Sequence, residues 1–188
     1  MSNLTLDVGL AYKLKVAFAR NGWSEQLIDA ACEADKLGQF KQVLLGYATI
    51  TVVEHAIDCD VQPYTPDGWS VEDHQKGGVW KWDVSQVELY LADSQKNGKS
   101  IPGHELRKDL AKKPVMNANV LDYLLANPHL IPEEWKDKSV FFWGTIYRNA
   151  VGDLCVRSLY WGGGTWYWVY RWLVSDWRGH GPALLRAS

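Results

Sequence analysis

The stretch Tyr160-Trp-Gly-Gly-Gly-Thr-Trp-Tyr-Trp-Val-Tyr-Arg-Trp-Leu-Val-Ser-Asp-Trp177 holds five of the chain's eleven tryptophans. It alternates. On a strand, Trp166, Trp168, Tyr170 and Trp172 point to one side, and Thr165, Tyr167, Val169 and Arg171 to the other. Gly162-Gly163-Gly164 lacks the Lys-Ser/Thr of a phosphate loop and is expected to turn a hairpin between strands at 154–161 and 165–173. The heavy aromatic face has two readings. As core, each buried indole removes roughly 150–250 Å² from water, on the order of 4–6 kcal/mol as an upper bound. As an exposed platform, the rings would stack on sugars. Core is favoured, because four large rings on one open face invite aggregation.

Upstream, 139–147 is a third strand candidate, and Asn149 to Asp153 is a turn. Two helices precede it, at 104–112 and at 118–126, the second capped by Asn117 and carrying Val120, Leu121, Leu124 and Leu125. Pro128 and Pro132 end the helical region. Further back, 87–91 alternates as a strand, 79–82 is a short one, and 58–78 has the Pro and Gly content of a loop. Residues 48–57 suit a strand or linker.

The first fifty residues differ in kind. Leu6, Leu10, Leu14, Ala17 and Phe18 recur at helical spacing until Asn21-Gly22. Ser24 caps a second helix that stops near Gly38, and a third covers 40–47. Helices and strands in separate blocks predict an α+β chain: a helical unit at 1–50, then a domain at 51–188 ending in an antiparallel meander.

With 188 residues, 47% of them hydrophobic, the chain can bury a core. A net charge of -2 gives no basic excess, so nucleic acid is not an expected partner. Cys32, Cys59 and Cys155 are few, odd in number and far apart, which favours reduced thiols. Asp7, Lys13, Lys15 and Arg20 interrupt the first apolar segment, so neither a signal peptide nor a membrane span is expected, and a cytoplasmic location follows. His55 and Cys59 are four apart, but no second pair with ligand spacing completes a metal site. Asp73-His74, His104-Glu105 and Glu133-Glu134 are weighed as acid–base neighbours and read as solvent-facing or capping. No nucleophile or phosphate-loop motif occurs, so neither an enzyme nor a cofactor is expected.

The stretches Asn117-Ala-Asn-Val-Leu-Asp-Tyr-Leu-Leu125, Ile131-Pro-Glu-Glu-Trp-Lys136, Phe141-Phe-Trp-Gly-Thr-Ile-Tyr-Arg148 and Leu154-Cys-Val-Arg157, with the Trp-rich tail, resemble a largely uncharacterised bacterial family. That family is similar to the variable proteins of diversity-generating retroelements. The resemblance covers about residues 60–188 and implies a C-type-lectin-like domain whose variable region, about 158–181, meets a protein ligand. Such retroelements rewrite adenines, most often in Asn codons, which cannot yield Lys, Gln, Glu, Met or Trp. From Ser158 to Ser188 the chain has none of Lys, Gln, Glu or Met, and the Trp codon offers no adenine to rewrite.

On this reading Trp161, Trp166, Trp168, Trp172 and Trp177 form a fixed inward scaffold. Gly162, Gly163, Thr165, Tyr167, Val169, Arg171, Val174, Ser175, Arg178, Gly179 and His180 form the changeable surface. The alternative is a carbohydrate-binding module with a tryptophan platform. The helical unit at 4–47 suits dimerisation or docking, including a homo-oligomer.

Overall fold

The computed structural model describes residues 7–187 apart from 52, so Leu4 and Leu6 of the expected first helix lie outside the described residues. The chain divides into two units, Met1–Val53 and Glu54–Ser188.

The first unit carries α1 (Val8–Arg20), α2 (Glu25–Cys32) and α3 (Lys36–Leu44). Asp7 accepts from the Leu10 amide at 2.7 Å and Ser24 from the Leu27 amide at 3.3 Å, so both helices start at side chains that satisfy a free N–H. Gly22, at φ +70°, lets the chain leave α1. The second helix ends earlier than expected: Gly38 lies inside α3, not beyond α2. Asp35 starts α3 and its carboxylate lies where a Cβ at 38 would sit, so a larger residue there would have to displace the Asp35 side chain. No residue of α1, α2 or α3 is buried.

The second unit is α+β. It contains β1 (Ala56–Asp58), β2 (Ser70–His74), β3 (Val79–Lys81), β4 (Val87–Tyr90) and β5 (Ile101–Pro102), then α4 (Gly103–Leu110) and α5 (Ala118–Ala126). It closes with β6 (Ser139–Phe141), β7 (Thr145–Arg148), β8 (Leu154–Gly162), β9 (Thr165–Trp172), β10 (Asp176–Trp177) and β11 (Ala183–Arg186). The expected strand at 139–147 is therefore split. Phe142 to Gly144 leave the strand path, and Phe142 still donates to the Arg157 carbonyl at 3.1 Å. Gly144 is needed there, because a Cβ would come within 2.9 Å of the Asn117 backbone.

The split organises the sheet. β8 pairs β6 and β7 along one edge and β9 along the other. β2 extends the sheet beside β7, and β11 then β4 beside β6. Two features depart from expectation. β2 forms inside the segment assigned to loop, because His74 and Val71 find partners on β7 that are remote in sequence. β11 runs parallel to β6, so the sheet is mixed and not a pure antiparallel meander.

From Cys155 to Leu159 both faces of β8 are buried. On one, Leu159 joins Val120, Leu121 and Leu124 of α5, with Ile131, Trp135 and Leu184. On the other, Val156 joins Leu106 and Leu110 of α4, with Trp143, Leu173 and Trp177. These thirteen side chains dominate stability at about 1.5–3 kcal/mol each before chain entropy is set against them. α5 is also held electrostatically: Asp122 receives two bonds from Arg157, at 2.6 and 3.1 Å.

Candidate functional site

β8 and β9 form an uninterrupted hairpin from Cys155↔Trp172 to Gly162↔Thr165. Its two-residue turn is Gly163 and Gly164, at φ +59° and +83°, a geometry that only glycine adopts without strain at both positions. Thr165 and Gly163 are exposed at the tip. Gly162 is half-buried. The Tyr167 hydroxyl would lie 2.6 Å from a Cβ there, so glycine makes room for the Tyr167 ring, which also packs edge-on to Tyr160 at 5.3 Å.

The aromatic face is graded along the strand. Trp166 and Trp168 are half-buried against the α5 core. Trp161 is half-buried, 5.2 Å from Trp166, with the Lys136 ammonium 4.1 Å above its ring. Trp177 is the anchor, 1% exposed between Phe141 and Trp143. Trp172 departs from the inward scaffold: it is 41% exposed, and its neighbour Tyr170 is 39% exposed. The cause is positional. β9 is an edge strand, and the partners that cover Trp166 and Trp168 do not bury the end of the strand at 170–172. Trp69 stands edge-on to Tyr170 at 5.0 Å and to Trp168 at 6.2 Å.

Beneath these rings lies Arg157, 1% exposed, with Trp168 at 4.6 Å and Tyr64 at 5.1 Å from its guanidinium carbon. Burial opposes its charge, but the hydrogen bonds and charge of Asp122 more than offset that and raise its pKa. Sequence reasoning missed this pair; the only available signal was an Arg among apolar neighbours in a strand.

The opposite face of β9 makes a concave site. Val169 and Arg171 from the strand meet Arg178, His180 and Gly181 from the following loop, and Ser139 and Phe141 from β6, around a hollow of about 90 Å³. Trp177 lines it. The Arg171 guanidinium lies 5.9 Å from the Trp177 ring and donates twice to the Asp176 carbonyl, at 2.6 and 3.2 Å. Arg171 and Val169 are half-buried; Arg178, Gly179 and His180 are exposed. Tyr167 is 40% exposed on the same face. Val174 is exposed and Ser175 half-buried in the turn between β9 and β10, where the Ser175 amide donates to the Trp172 carbonyl. The residues singled out in the sequence thus separate: Val169, Arg171, Arg178 and His180 line one hollow, Gly162, Gly163, Thr165 and Tyr167 lie towards the hairpin tip, and Val174, Ser175 and Gly179 line neither.

The other titratable neighbours are engaged elsewhere. Asp73 pairs Arg107 at 3.2 Å and Glu105 pairs Lys108 at 2.8 Å. His74 contacts the Thr145 hydroxyl at 2.9 Å and the Cys59 carbonyl at 3.1 Å, where Asn117 also donates. His55 contacts the Tyr123 hydroxyl at 2.9 Å, while Cys59 is buried beside Gly77. No group of three or more His, Cys, Asp or Glu with metal-binding placement occurs among the described residues. No described helix is long and apolar enough to cross a membrane. Comparison of the chain with family models, with curated proteins and with solved structures found no match.

Proposed function

We propose that this is a ligand-binding protein, not an enzyme, whose C-terminal hairpin and following loop contact a protein ligand. The observation that carries this is the hollow. Arg171 from β9 and Arg178 and His180 from the following loop converge on it, with Trp177 below and β8 paired along β9. Preorganisation of that kind lowers the ordering cost of binding, and Arg and Tyr supply contact area and forked hydrogen bonds.

The resemblance to retroelement-diversified variable proteins refines this reading. The domain would be C-type-lectin-like, and its changeable residues would lie between fixed tryptophans. Supporting it, the residues expected to vary sit on the hairpin, the 174–175 turn and the 178–180 loop, and none of them belongs to the two main clusters. Free thiols at Cys32, Cys59 and Cys155 fit a reducing cytoplasm. The test is the genomic locus. A reverse transcriptase gene and a near-repeat of the codons for 158–181, differing at adenines, support the proposal; an intact locus with neither defeats it.

A carbohydrate-binding module is the second reading, favoured by the exposure of Tyr170 and Trp172. Their rings stand at 88° to one another, which gives no shared plane for a sugar to lie on, so protein binding is preferred. A glycan array with tryptophan fluorescence separates the two: saturable quenching by a sugar, lost in Trp172→Ala, supports the module.

The first unit fits self-association. Leu14, Phe18, Trp23, Ile28, Leu37 and Phe40 line an open apolar cleft of about 650 Å³ among its helices. α1 carries Lys13, Lys15 and Arg20, whereas Glu25, Asp29, Glu33 and Asp35 lie on and after α2, so two copies offer each other opposite charge.

A further inference from the structure

We infer that the free edge of β9 takes up an extended polypeptide segment as an added strand, with apolar side chains on the segment's aromatic-facing side and acidic ones on the other. The inference deepens the ligand-binding reading and rests on it. Its basis is the direction of backbone groups. The Leu173 amide donates to the Leu154 carbonyl at 2.9 Å, and the Arg157 carbonyl accepts from Phe142, away from β9. With the register Arg157↔Tyr170, these two bonds fix the phase of the ladder. Residues 165, 167, 169 and 171 therefore bond to β8, while the N–H and C=O of Trp166, Trp168 and Tyr170 point outward. Among the described residues β9 pairs only β8, and no other backbone group meets those six.

An edge of this length is normally blunted by lysine, proline or a bulge. β9 has none of these: its eight residues contain no Lys or Pro, and its register is unbroken. What it offers instead is a two-sided reader. An added strand alternates its side chains, so one set would lie beside the half-exposed Tyr170 and Trp172 rings. The other set would lie beside Arg171, on the face whose hollow over β8 also holds the exposed Arg178 and His180. That charge selects carboxylates. It also argues against a second β9 as occupant, because Thr165 to Trp172 contains no Asp or Glu.

The test pans a phage library of linear ten-residue peptides against the full chain. Enriched peptides are expected to alternate apolar and acidic residues. N-methylation along a selected peptide should weaken binding with a period of two: at least ~tenfold at one set of positions and less than ~twofold at the interleaved set. This scan alters only the peptide, so it does not depend on any variant folding. Tyr170→Pro, which removes an N–H that β8 does not use, should abolish binding. No enrichment, or losses without a two-residue period, overturns the added strand. Peptides that need Arg171 and Arg178 but tolerate N-methylation everywhere also overturn it, while leaving the hollow as the binding site. A dimer of the free chain that Tyr170→Pro dissociates overturns it in favour of self-pairing.

Discussion

Asp122 of α5 and Arg157 of β8 are joined by two hydrogen bonds, at 2.6 and 3.1 Å, with the guanidinium sealed beneath Trp168 and Tyr64. The pair ties the helix under the hairpin to the central strand, and so couples the placement of β9 to the core. Removing one partner leaves a buried charge unmatched. Asp122→Ala should cost about 3 kcal/mol, whereas Arg157→Met with Asp122→Leu should cost less than that single change. Urea unfolding of the three proteins checks the order.

Gly103, at the start of α4, lies against the Trp177 indole nitrogen and the Leu173 carbonyl, which a Cβ would overlap. Gly103→Ala should push Trp177 off its seat, costing about 1–3 kcal/mol. The loss should appear as a lower Tm and a shifted tryptophan emission, with weakened binding at the hollow.

At that hollow, Arg178→Ala and His180→Ala should leave Tm within about 1 °C, because both side chains are exposed. Each should still weaken ligand binding by about fivefold or more, mainly through dissociation. Surface kinetics with a selected ligand checks both points.

Cys155 is fully buried, and desolvation, aided by Asp153, pushes its thiol up to about 12 from an ordinary 9.0. The unfolded chain loses that proton first as pH rises. The thiol's contribution is therefore complete below about pH 9 and lost progressively towards pH 12. Burial raises Tyr147 as well, adding to the same alkaline loss. Thermal melts between pH 8 and 11 should show a steep fall that is shallower in Cys155→Ala. At pH 8 one thiol, Cys32, should react promptly with a thiol reagent, while Cys59 and Cys155 stay protected.

For the helical unit, sedimentation should show an oligomer that Lys13→Glu with Lys15→Glu weakens. Mixing that variant with Glu25→Lys/Asp29→Lys should restore association. A monomer at all concentrations rejects self-association.

Local chemistry made much of this chain legible in its sequence. The Asn117 and Ser24 caps, the α5 stripe, the Gly163-Gly164 turn and the alternation from Thr165 to Trp172 each depend on neighbours a few residues away, so spacing alone determined them. What decides the rest is long-range pairing. β2 and β11 are strands because β7 and β6 lie beside them, which no local pattern announces. Trp177 and Trp172 are the same residue type in the same segment. One is sealed and the other half open, because one meets Phe141 and Trp143 while the other ends an edge strand. Alternation sets which way a side chain points; only the tertiary structure supplies, or withholds, what covers it.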